Sequence, residues 1–204
     1  MMSLLFQGAR LSFYMLLFLS LPILVNTHYV LVLWLKIVPA HAVLFVQLIL
    51  VFAMCESISN PLITAMLATG NIRNYQILVG GLQMLNLPLS YICLRLGFIP
   101  ESVLIIAIII SICCLAARLY MLRSMIGLSV KLYVQKVILN VMFVTLLASV
   151  LPYICSQYLC EGFISFLIIT LITIVCTVIT IFYIGCNKSE RKFIVDKLKK
   201  VTKK

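Results

Sequence analysis

Acidic groups are scarce in this chain. Five Asp and Glu residues occur in 204 positions, and Asp196 is the only aspartate. A carboxylate pair for general acid–base work, or an Asp-x-Asp metal clamp for a nucleotide sugar, therefore has little to be built from. Histidine is equally sparse, with His28 and His41 both between the first two apolar runs. No His-Glu-x-x-His, Gly-x-Ser-x-Gly or phosphate-binding Gly-rich loop is present, so the chain is not expected to be an enzyme and no cofactor or metal is expected. Charge as a whole makes up only 10% of the residues. That excludes a soluble domain, for which about a quarter is usual.

What fills the chain is apolar. Hydrophobic residues account for 64% of the sequence, and the mean hydropathy is +1.22. A soluble fold of this length cannot bury so much apolar side chain, and the surplus must face lipid. Apolar runs recur from end to end, and no small-residue cleavage pattern follows the first, so a signal peptide does not explain them. A helical crossing needs about 20 mostly apolar residues. Six segments meet that requirement: 9–26, 42–67, 75–96, 102–122, 134–152 and 163–185. The expected fold is an all-α integral membrane bundle spanning 1–185, followed by a basic tail over 186–204.

The cysteines fit this reading. Of eight, Cys55, Cys93, Cys113, Cys114 and Cys176 lie inside apolar runs and act as small hydrophobes. Cys155 and Cys160, in the polar stretch 152–162, can pair if that stretch faces an oxidising compartment.

Net charge is +11, and its distribution matters more than its size. With six crossings both termini share a face, and 14 of the 16 basic residues fall on it, all but Lys36 and Arg95. Basic loops are retained in the cytoplasm, which predicts cytoplasmic termini. The stretch Arg123 to Lys136 alternates apolar and basic residues and is expected along that surface. The tail, from Asn187 with Glu190 three residues on, reads as a surface amphipathic helix or as a solvated basic tail. Membrane lipids are the expected partners. Nucleic acid is not, because the basic residues flank apolar spans without interleaved aromatics. Tyr29 and Trp34 read as interfacial anchors.

The informative polar cluster lies in the second span. Glu56, the only acid within a span, is followed by Asn60 and Thr64 at successive turns, and Pro61 removes a backbone hydrogen bond. Such a group lines a cavity or hinge that responds to protons or cations, or it ties helices together by hydrogen bonding. In the third span Gln83, Asn86 and Ser90 form a polar stripe beside Pro88. Arg118, near the end of the fourth span, either snorkels to headgroups or holds a lipid phosphate.

Several stretches together carry a resemblance. The run from Leu21 to Gln76, LPILVNTHYVLVLWLKIVPAHAVLFVQLILVFAMCESISNPLITAMLATGNIRNYQ, continues as VGGLQMLNLPLSYICLRLGFIPE, and the sixth span ends on IGCNKSERKF. In YVLVLWL, in the ATGNIRNYQ turn and in the order of spans, the chain resembles the C-terminal part of Wzx-type polysaccharide flippases of the MATE-like exporter superfamily. The resemblance implies a family fold of about twelve to fourteen helices in two lobes around a hydrophilic cavity, with substrate handled between the repeats. It implies transport of undecaprenyl-pyrophosphate-linked oligosaccharide across the bacterial inner membrane, for lipopolysaccharide or capsule synthesis. On that reading the chain is a gene fragment, a late start or half of a split transporter, with another chain supplying the first lobe. Glu56, Asn60, Pro61, Thr64, Gln83 and Asn86 become cavity or hinge residues, and Arg73 and Arg118 become contacts for the pyrophosphate. Two other functions fit the same residues: a MATE-type drug/cation antiporter fragment, and a non-transporting membrane scaffold or accessory subunit.

Overall fold

The computed structural model describes residues 2–70, 72–158, 162–186 and 191. Its elements are helical throughout, with no strand among the described residues. Six helical segments are long and apolar enough to cross a membrane: Met2–Val25, Ala42–Ala68, Ile72–Arg95, Ser102–Ile126, Val130–Tyr158 and Phe163–Gly185. The first, fifth and third begin earlier than expected. The fifth also runs straight through Pro152 as far as Tyr158, which places Cys155 on a helix. Cys155 bonds no described cysteine, and Cys160 lies outside the described residues.

Element boundaries follow local chemistry. Helix α1 (Met2–Val25) contains Pro22, and Asn26 separates it from the short α2 (Thr27–Leu35), whose first residue is fixed by a Thr27 hydroxyl bond to the Ile23 carbonyl at 2.8 Å. Helix α3 (Ala42–Ala68) is the second span. The third span is two helices, α4 (Ile72–Met84) and α5 (Asn86–Arg95). Pro88 supplies no N–H to the carbonyl of Met84, the last residue of α4, which accounts for the break at that point. Helix α6 (Ser102–Ile126) ends at Gly127, where the backbone turns left-handed at φ 68 and its N–H donates to the Arg123 carbonyl at 3.1 Å.

Sequence patterning placed residues 123–136 along the membrane surface. The structure instead turns them inward at Gly127. Leu128 and Tyr133 are fully buried, and α7 (Val130–Tyr133) already belongs to the fifth span. A π-helical turn, Val134–Ile138, joins it to α8 (Leu139–Tyr158), and a second, Ile181–Gly185, closes the sixth span after α9 (Phe163–Thr180). The expected tail helix from Asn187 lies outside the described residues except for Arg191. That side chain donates to the carbonyls of Cys186, at 3.1 Å, and of Tyr183, where cationic groups complement the exposed carbonyls of a helix end.

The packing order follows from the contacts. Helix α1 lies between α3 on one side and α8 and α9 on the other, and α6 lies between α3 and the α4–α5 pair. Helices α1 and α3 run antiparallel, since Gly8 meets Pro61 while Ser20 meets Met54. Helices α3 and α6 run parallel, both starting where His41 meets Glu101. The core runs along α1 through Leu5, Ala9, Phe13, Leu17 and Leu21, at three- and four-residue spacing. Most large apolar side chains on the outer spans are exposed, as lipid-facing residues are. On α9, Thr173 and Thr177 are fully buried and return their hydroxyls to carbonyls four residues back, which lets small side chains pack closely without stranding a donor.

Candidate functional site

Glu56 points from the middle of α3 toward α6. Its Oε1 accepts a hydrogen bond from the Ser111 hydroxyl at 2.5 Å, and its Oε2 lies 4.0 Å from Nη1 of Arg118. Ser111 and Arg118 are seven residues apart, two turns along α6, so one face of that helix carries both. Cys114 lies between them, wholly buried. The arginine is 2% exposed, while the carboxylate retains 26%.

Arg118 is thus an interior group, and the snorkelling expected from its place near the helix end does not occur. Two of its donors, Nε and Nη1, have no hydrogen-bond acceptor among the described residues. A buried guanidinium in this state keeps a strong demand for an anionic partner. The nearest charge of opposite sign is Glu56.

One turn further along α3 lies Pro61, which supplies no N–H to the Ser57 carbonyl. The buried Tyr133 hydroxyl reaches across from α7 and donates to the Ile58 carbonyl at 3.1 Å. Its ring meets Phe6 of α1 edge-on, with centroids 5.6 Å apart. Three helices therefore meet around the Pro61 segment, one residue of which, Ser59, is fully buried with an unpaired hydroxyl among the described residues.

The other residues singled out in the sequence are distributed differently. Asn60 and Thr64 are exposed, and their hydrogen bond, from the Thr64 hydroxyl to the Asn60 carbonyl at 3.2 Å, stays within α3. No bond joins Asn60 to Glu56. Gln83 is exposed on α4, Asn86 is half-buried and accepts from Ser90 at 3.3 Å, and Arg73 is exposed at the start of α4. Of the eight sequence candidates, the structure brings together only Glu56 and Arg118, with Pro61 one turn away.

Three partners were missed by sequence reasoning. Ser111 had a signal, its i, i+7 relation to Arg118. Tyr133 had none, because it sits in a stretch that reads as surface. The third is Glu101, which lies outside the spans and accepts from His41 Nδ1 at 2.6 Å, closing the turn before α3 onto the turn before α6. The hydrogen bond from its own backbone N–H, and then the one from His41, hold its carboxyl below the ordinary glutamate range.

The Glu56 cluster holds one carboxylate, the Ser111 hydroxyl and the Arg118 guanidinium. What it offers is an ion pair within the spans, with Glu56 hydrogen-bonded to Ser111 across two parallel helices, one of which carries Pro61 a turn further on. The class defined by fold and site is an all-α, multi-pass membrane protein with a charged centre inside its helix bundle. No protein-family model, no curated protein and no solved structure matches the chain.

Proposed function

We propose that the chain is the C-terminal part of a MATE-like polysaccharide transporter, moving undecaprenyl-pyrophosphate-linked oligosaccharide across the bacterial inner membrane with both termini in the cytoplasm. The observation that carries a transport role is the Glu56–Arg118 pair, at 4.0 Å between α3 and α6. Charges inside a span are costly enough that they mark substrate or ion pathways by default. The adjacent Pro61, by withholding a helix hydrogen bond, supports a point about which an alternating-access helix moves. The polysaccharide substrate rests on the resemblance of the outer-loop and turn motifs, and the orientation on the basic residues of one face. Asn60, Thr64 and Gln83, polar yet uncovered on the spans, support a working form in which another lobe packs against them.

The antiporter reading uses Glu56 as a cation ligand. Arg118 stands where that cation would go, which favours the flippase.

Deleting the coding sequence in its host is expected to deplete surface polysaccharide on an immunoblot. Re-expression of the wild type should restore it, and Glu56→Gln or Arg118→Ala should restore it only in part. Normal polysaccharide after deletion overturns the flippase reading. A change in sensitivity to cationic drugs in the same strains, with polysaccharide intact, selects the antiporter.

A further inference from the structure

His41 and Glu101 are the residues immediately before α3 and α6. The backbone joins each to the helix it precedes: the His41 carbonyl accepts from the Phe45 N–H at 3.1 Å, and the Glu101 carbonyl from the Ile105 N–H at 3.2 Å. The 2.6 Å contact between His41 Nδ1 and Glu101 Oε1 therefore ties the first turns of two helices to each other. Its two members differ in burial. The imidazole is exposed, while the carboxylate is buried at the N-terminal end of α6, where the helix dipole favours a negative group.

From this tie the two helices run in the same direction. At 1.5 Å of rise per residue, Glu56 lies roughly 22 Å along α3 from His41, whereas Ser111 and Arg118 lie roughly 15 and 26 Å along α6 from Glu101. The carboxylate thus stands at a level between its two partners. Helical side chains lean toward the N-terminus of their own helix, so Glu56 leans back toward Ser111 and Arg118 leans back toward Glu56.

The two contacts are unequal. The Ser111 hydroxyl is bonded at 2.5 Å, while Nη1 of Arg118 stands off at 4.0 Å, beyond hydrogen-bond reach. Nε and Nη1 of the buried arginine have no acceptor among the described residues. An advance of α3 along α6 by about an ångström, away from the shared start, brings the carboxylate onto the guanidinium and off the serine. Packed helices slide by small displacements of this kind. The tie opposes it, because α3 can advance only by drawing His41 away from Glu101.

We propose that the His41–Glu101 contact is a latch that sets the register of α3 against α6, holding Glu56 on Ser111 and short of Arg118. Its release passes the carboxylate from the serine to the arginine. The latch acts on the Glu56 site but requires no transport, so it stands or falls apart from the flippase reading.

The test is a double-mutant cycle on the purified full chain, read by Tm in detergent. His41→Ala trims an exposed ring, and Ser111→Ala removes one hydroxyl, so neither variant opens a large void. Ser111→Ala should lower the Tm of the wild type by about 2–4 °C, and that of His41→Ala by less than half as much, because the released carboxylate no longer uses the serine. Substitutions that lie more than about 10 Å apart and share no partner are otherwise additive. His41→Asn places an amide N–H where the imidazole Nδ1–H stood, and should restore the full effect of Ser111→Ala. A latch that ties only the two first turns lowers the Tm by itself but leaves the effect of Ser111→Ala unchanged in the His41→Ala background. That additive result overturns the proposal, as does a larger effect of Ser111→Ala there, or a His41→Asn chain that behaves as His41→Ala.

Discussion

The Tyr133 hydroxyl donates to the Ile58 carbonyl at 3.1 Å, three residues ahead of Pro61. A proline in mid-helix displaces the carbonyls that precede it and deprives one of its donor. The phenol of α7 meets, from outside the helix, one of the carbonyls that precede Pro61. The Pro61 segment of the second span is thereby tied to the start of the fifth.

Tyr133→Phe retains the ring and its edge contact with Phe6 and removes only the donor. The expected loss is about 0.5–2 kcal/mol, the range for a buried hydrogen bond in water or in a membrane. Thermal unfolding in detergent should show a lower Tm for the variant. An unchanged Tm would mean that the Ile58 carbonyl is satisfied from within its own helix.

Removing either member of the Glu56–Arg118 pair leaves the other charge without its counterpart. Arg118→Leu and Glu56→Leu should each destabilise, by about 1–3 kcal/mol given that Glu56 keeps some solvent contact. The double variant should lose less than the sum of the two, because neither charge is then stranded. A strictly additive double-mutant cycle would show that the two groups do not interact.

Glu101 predicts a pH dependence. Its folded carboxyl titrates below the ordinary range, so the stabilisation it provides is fully present above the unfolded value of about 4.3 and is lost as pH falls through the folded value. The Tm of the wild type should fall steeply below about pH 4.5. Glu101→Gln removes that titration, and its acid slope should be shallower. Identical slopes would exclude the His41–Glu101 contact as a source of acid sensitivity.

Gly185 tests a close approach. A Cβ added there would lie 2.9 Å from the Tyr14 ring, and its own carbonyl receives Tyr14 and Asn140. Gly185→Ala must push the ring aside, at a cost of about 1–3 kcal/mol for an overpacked site. Tyr14→Leu together with Gly185→Ala should recover part of it. A Tm for Gly185→Ala equal to the wild type would show that the sixth span shifts freely on α1.

The spans were legible because their signal is coarse. Twenty apolar residues cross a bilayer whatever they touch, so the starts of the second, fourth and sixth spans agree with expectation to the residue. Prolines were less legible: Pro88 accompanies a break in the third span, whereas Pro22, Pro61 and Pro152 lie inside continuous helices. The Glu56 site was half legible: one acid in an apolar span is conspicuous, and Arg118 is conspicuous too. Their meeting was not, since the two lie 62 positions apart and nothing in either span names its neighbour.

The amino-acid sequence by itself determined an all-helical membrane protein of six crossings, its basic and non-basic faces, and the residues too costly to leave in lipid. Tertiary structure alone decided that Ser111 and Arg118 face Glu56, that Tyr133 turns inward to the second span, that Asn60 and Gln83 stay outside, and that Arg10 and Lys136 share a cavity. The physical reason lies in the solvent. In water a buried face is marked by apolar residues against a polar surface. In a bilayer the lipid is as apolar as the core, so hydropathy marks the span and leaves its inward face unmarked. Which face turns in is settled by packing, by hydrogen bonds between helices, and by the few charges that must find each other.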